Sequence, residues 1–164
     1  MGISRAALIH ANRLVTSSVV MRRRCFEECG GFEESLLLAQ DWDFWLRVSR
    51  RWRVGVLPAE LVIYQLHPAQ RSARQAEMRE YEARVMRRVM EEESGWVRGA
   101  ARRRLSWALC RLARARLRER APVQAVQAAR EAISLYPLNI IAWGTLARGA
   151  RVRPTPAEVQ ELQP

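Results

Sequence analysis

Two carboxylates two residues apart, Asp41 and Asp43, open a run in which Trp42, Trp45 and Leu46 recur at i, i+3, i+4, the spacing of one helix face. A carboxylate at a helix start can act as a general base, taking the proton from a hydroxyl as it attacks. It can equally be an N-terminal carboxylate that complements the helix dipole. For Asp41 the spacing leaves both roles open. Asp43 stands four residues before Arg47, the spacing of an ion pair along a helix, and is assigned to structure. Tryptophan rings are broad enough to stack on a sugar, but at helical spacing they also build cores. Trp45 is assigned to the core, and Trp42 is left between the two. Upstream, Gly30 and Gly31 follow a short helical segment at 24–29, where a left-handed C-cap is needed. The same two glycines would also let the backbone approach a bound molecule closely.

The elements that must position these residues follow from pattern and punctuation. Residues 1–14 read as a short, partly helical lead-in that stops at Asn12. The apolar run at 15–21 reads as a strand bounded by polar residues and by Arg22, Arg23 and Arg24. Phe26 anchors the short helix after it. Residues 41–51 form the carboxylate-bearing helix, ending on Arg50 and Arg51, where cations suit the C-terminus. Two short strands are expected at 53–57 and 61–64, separated by Pro58. His67 closes the second, and a lone histidine there is by type a surface residue.

Beyond 71 the text turns helical. Met78, Tyr81, Val85, Met86, Val89 and Met90 make an apolar stripe over 71–93, broken at Ser94-Gly95. Helices are expected over 96–120, 122–135 and 138–150, with a frayed tail after Arg153. Ala125, Ala132 and Pro137, with Trp143, Leu146 and Ala147 following, resemble about one and a half tetratricopeptide repeats. A helical hairpin of that kind is too short for a solenoid by itself.

Composition bounds the rest. Hydrophobic residues make up 49% of the 164, which marks globular material. The net charge of +11 comes entirely from arginine, because the chain has no lysine. That balance suits an anionic partner, or simply a surface solvated by guanidiniums. Cys25, Cys29 and Cys110 lack metal-ligand spacing and read as buried thiols in a reducing compartment. The apolar stretch at 3–10 is short and interrupted by Arg5, and no window reaches the length of a membrane span, so a cytoplasmic setting is expected.

The order of these pieces carries a resemblance. Val19-Val20-Met21 and its arginines, then Gly30-Gly31-Phe32-Glu33-Glu34, then Gln40-Asp41-Trp42-Asp43-Phe44-Trp45-Leu46-Arg47, then Tyr64 with His67, resemble the C-terminal half of the family two glycosyltransferases. The likeness covers about 12–72, less than half of the chain. It implies an inverting enzyme of the GT-A fold that uses a nucleotide-sugar donor, a glycan or related acceptor and a divalent metal, Mg or Mn. It makes Asp41 the general base and puts Gly30, Gly31, Trp42 and His67 on the substrate side, with His67 near the diphosphate or its metal. The sequence departs from the family at Gln40, where a Glu is usual, and at Gln65, where an Arg is usual. The nucleotide-binding half and the metal-binding Asp-x-Asp element that the family places upstream have no counterpart before Val15. The only Asp-x-Asp is Asp41-Trp42-Asp43 itself. The expected molecule is therefore an acceptor-side portion, completed by an N-terminal half or another chain.

The expected architecture is α+β and mostly α. A partial GT-A-like α/β remnant occupies 12–72, a helical extension 73–152 and a flexible tail 153–164. A different function class is an arginine-rich helical interaction module that binds an acidic protein or nucleic acid. Nucleic acid is disfavoured because the arginines between 98 and 120 look spread around their helix. A protein partner on the helical tail remains an expectation.

Overall fold

The computed structural model describes residues 2–63, 65 and 75–153, and divides into two compact units, Met1–Ala73 and Arg74–Pro164. The first unit is built on two helices. Helix α1 (Arg5–His10) starts at Ser4, whose hydroxyl accepts the Ala7 amide at 3.2 Å. Helix α3 (Gln40–Arg51) carries a nearly continuous buried run, Trp42 to Leu46 and Val48. Leu8 and Ile9 of α1 are fully buried in the same unit, and the Trp42 indole N–H donates to the Leu8 carbonyl at 2.6 Å. Between them lies the short α2 (Arg23–Glu28). Its Phe26 ring meets Phe44 and Phe32 edge-on at 5.3 and 5.9 Å between centroids. Phe32 and Trp45 extend the cluster, so aromatic packing ties the loop after α2 onto α3.

The strands expected in this unit are largely absent from the described residues. The sheet comprises β1 (Gly2–Ile3) and β2 (Val54–Gly55), paired antiparallel with Gly2 opposite Gly55. The apolar run at 15–21 is instead a single 3₁₀ turn, Thr16–Ser18, followed by extended backbone, and Val20 is 98% exposed. Residues 61–63 form no ladder, and Ile63 is likewise 98% exposed. Both runs have strand composition but no neighbour offering the amides and carbonyls that a strand must pair with. Of the pair expected at 53–57 and 61–64, only Val54–Gly55 pairs, and its partner is the N-terminal segment. Tyr64 and His67 lie outside the described residues.

The second unit is a helical array: α4 (Gln75–Glu92), α5 (Gly95–Arg118), α6 (Pro122–Leu135) and α7 (Ile140–Gly149). Helix α5 is central, packing on α4, α6 and α7 through Leu105, Ala108, Leu109 and Ala113, each at most 2% exposed. The boundaries follow local chemistry. Gly95 has φ +56, which marks the break before α5. Pro122 stands in the first turn of α6, where its missing N–H costs nothing. Asn139 caps α7 by accepting the Ala142 amide. Asn139 is also fully buried, and its amide donates to Ser106 Oγ at 3.0 Å while that hydroxyl donates to the Ala132 carbonyl at 2.7 Å. Three helices are thereby joined by one satisfied polar network. No helix among the described residues is long and apolar enough to cross a membrane.

Candidate active site

Asp41 occupies the first turn of α3, but it does not cap the helix. The N-cap place belongs to Ala39, held in the left-handed region at φ 57 with no side-chain hydrogen bond. The Asp41 donors come instead from the segment before α2. Asn12 Nδ2 donates to Asp41 Oδ2 at 2.9 Å and Thr16 Oγ1 to the same oxygen at 3.3 Å, while Oδ1 accepts the Trp42 amide at 2.8 Å. Three donors thus occupy three of the roughly four lone-pair sites of a carboxylate. The side chain is partly exposed and its orientation is set by residues 25 and 29 positions away.

Asp43 faces elsewhere. Two residues along a helix turn a side chain by about 200°, so the neighbouring carboxylates point to opposite sides. The Asp43 side chain is only 4% exposed and accepts Arg47 Nε at 2.8 Å. The same guanidinium donates to the Gly31 carbonyl at 2.7 Å and to the Cys29 carbonyl, and it lies over the Phe44 ring at 5.2 Å from the centroid. Arg47 therefore clamps the glycine turn to α3.

That turn has the expected left-handed geometry. Gly30 and Gly31 have φ +75 and +64, the Gly31 amide donates to the Phe26 carbonyl and the Gly30 amide to that of Glu27. These two bonds form a Schellman C-cap of α2. The glycine turn is anchored to α3 through Arg47, six residues beyond Asp41. A structural reason for both glycines is thus present.

Trp42 is 1% exposed with its N–H engaged, so its ring is a core element and offers no face to a sugar. Of the core and substrate-side readings left open for Trp42, its packing in this unit is that of a core residue. The driving force is the burial of a large apolar ring between α1 and α3, which outweighs exposure whenever the indole N–H finds a partner. Trp45 is core, as expected. Cys25 is buried, and burial together with the adjacent Cys29 pushes its thiol pKa up, which disfavours the reactive thiolate.

A divalent metal finds no donor set here. The Asp41-Trp42-Asp43 carboxylates diverge, Asp43 is committed to Arg47, and no group of three His, Cys, Asp or Glu comes together among the described residues. A cleft of about 420 Å³ belongs to the second unit, between α4, α5 and α6, and includes none of the candidate residues. Two of its three arginines are matched by its two glutamates, Arg87 bidentate on Glu131 and Arg116 on Glu80, while Arg84 lies over the Tyr81 ring. Sequence reasoning missed Asn12 and Thr16, whose roles leave no local pattern. It saw Arg47 only as an ion-pair partner. Comparison with protein-family models, with curated proteins and with solved structures finds no match.

Proposed function

We propose that the chain is the acceptor-side, base-bearing portion of an inverting, nucleotide-sugar-dependent glycosyltransferase, with Asp41 as its general base. The observation that supports this reading is the Asp41 carboxylate itself, partly exposed, outside the cap position and oriented by Asn12 and Thr16. An aspartate that only complemented a helix dipole would not need two donors from a distant segment. In the proposed step Asp41 takes the proton of an acceptor hydroxyl while that oxygen attacks the anomeric carbon, and the nucleoside diphosphate departs. Asn12 and Thr16 hold the carboxylate in line with the hydroxyl, which supplies the orientation such a step requires. Val20 and Ile63 are apolar, fully exposed side chains of the kind that a completing part would cover. Among the described residues no group of three His, Cys, Asp or Glu comes together to hold a divalent metal, so Asp41 is given no role toward one.

The test is sugar transfer from a panel of nucleotide sugars to glycan acceptors, preceded by calorimetric titration with UDP and its sugar conjugates with and without manganese. Transfer should occur once an N-terminal nucleotide-binding half is supplied, and Asp41→Asn should then lower it by about 10²- to 10⁴-fold without changing the helical signal. Undiminished transfer in Asp41→Asn would remove Asp41 as the base. A folded chain that neither binds nor transfers, even when an N-terminal nucleotide-binding half is supplied, would remove the glycosyltransferase reading.

A further inference from the structure

We propose that the outward face of α5 binds single-stranded nucleic acid, with arginines on the phosphates and tryptophans stacked on bases. Helix α5 contains eight arginines and no acidic residue. Its core positions take about two thirds of the helix circumference, and Arg98, Arg102 and Arg116 fall among them, but the remaining third is distinct. At about 100° per residue, Trp96, Arg103, Trp107, Arg111, Arg114 and Arg118 fall within an arc of roughly 80°. Trp96 is 63% exposed and Trp107 38%. Arg103, Arg114 and Arg118 are exposed, and Arg111 is half-exposed. Four of the eight arginines share this face with the two tryptophans, in a cationic, aromatic stripe running about 33 Å from Trp96 to Arg118, while Arg98, Arg102 and Arg116 lie on the opposite side as the spread-out pattern expects.

Among the described residues the ion pairing of this stripe is incomplete. Along the α4 edge, Arg111 shares the Glu82 carboxylate with Arg104 and Arg79, so three guanidiniums meet one carboxylate. On the α6 edge, the Arg103 guanidinium lies over the Tyr136 ring, 5.8 Å from its centroid, which holds it in place without cancelling its charge. Guanidinium forks match phosphate oxygens bidentately. Exposed indoles offer flat π faces that unpaired bases use and that carboxylate side chains do not, which favours a nucleic acid strand over an acidic protein. A membrane surface is disfavoured because the arc holds two indoles among guanidiniums, without the contiguous apolar face that an interfacial helix sinks into lipid. A single strand is favoured over a duplex because stacking on side chains requires bases free of their own stack. The inference is independent of Asp41 and of the transferase reading.

The experiment is fluorescence anisotropy of the full chain with a labelled twenty-nucleotide oligo-dT strand over a series of salt concentrations. Binding should weaken with salt at a slope of about −0.7 per neutralised phosphate, near −3 for four arginines. Arg114→Ala and Arg118→Ala should each reduce that slope by about 0.7. Trp96→Ala should weaken binding by about 5- to 150-fold and leave the slope unchanged. Arg23→Ala, which removes an exposed charge on α2, and Asp41→Asn should leave binding unchanged. The proposal falls if the strand does not bind at 50 mM salt, or if Arg23→Ala weakens binding as much as Arg114→Ala. It also falls if Trp96→Ala has no effect, or if a polyglutamate peptide or phosphatidylserine vesicles bind more tightly than the strand.

Discussion

Asp41 and Asp43 stand two residues apart and do opposite work. One is partly exposed and oriented from a distant segment. The other is buried beneath a guanidinium that also holds two carbonyls of the glycine turn. Spacing alone suggested an exposed i,i+4 pair for Asp43 and Arg47, worth about 0.3–0.5 kcal/mol. Burial changes the magnitude, because removing one partner strands a charge out of water. Arg47→Ala should therefore cost about 3 kcal/mol of stability, read as a lowered urea midpoint. Arg47→Lys should recover little of it, since a point charge cannot span the carboxylate and two carbonyls as the planar fork does. Full recovery by lysine would show that charge, and not fork geometry, is what the turn uses.

At the scale of elements, the two glycines of the α2 cap differ in what a side chain would meet. Both have left-handed backbone, costing a non-glycine residue about 1–2 kcal/mol. A Cβ at Gly30 finds only ordinary contact with Arg47, whereas one at Gly31 would lie 3.0 Å from the Phe26 ring. Gly31→Ala should thus lower thermal stability more than Gly30→Ala, and equal losses in the two melts would argue that Phe26 yields freely. The α4/α5 seam makes a second case. Burial, with Arg111 close by, pushes the Arg104 pKa down to about 10, against the raising effect of Glu82, so it remains charged at neutral pH. Glu82 is the carboxylate that makes three buried or half-buried guanidiniums tolerable. Glu82→Gln should cost about 3–5 kcal/mol in denaturant unfolding, with part of the loss restored by sulfate. A neutral result would mean that the guanidiniums turn out to solvent.

At the scale of the whole molecule, the helices of the second unit carry their own core and polar network. Residues 75–153 expressed alone should fold cooperatively with a helical circular dichroism spectrum. Leu109→Ala, at a position 2% exposed, should lower its stability by about 2–5 kcal/mol. A fragment that shows only non-cooperative melting would locate essential support in the first unit. Helix α5 carries +8 of the chain's net +11, and four of its eight arginines share the face that the core leaves open.

How much of this was legible varies with the range of the interactions. Helices at 75–92, 95–118, 122–135 and 140–149 lie within a few residues of where periodicity, Gly95 and Pro122 put them, because helical hydrogen bonds and caps are local. The left-handed Gly30-Gly31 cap was legible for the same reason. Strand composition at 15–21 and 61–63 misled, since a strand exists only where another backbone pairs with it, and pairing is not written in the run itself. Trp42 could be core or ligand-facing by type, and only the packing of α1 on α3 decided that it is core. The donors on Asp41 come from Asn12 and Thr16 across 29 and 25 residues. The sequence alone determined the charge, the helices and the turn chemistry, all set by neighbours in the chain. Tertiary structure decided which carboxylate is held open and which is buried, and which arginines share a face, because those outcomes depend on groups that folding brings together from far apart.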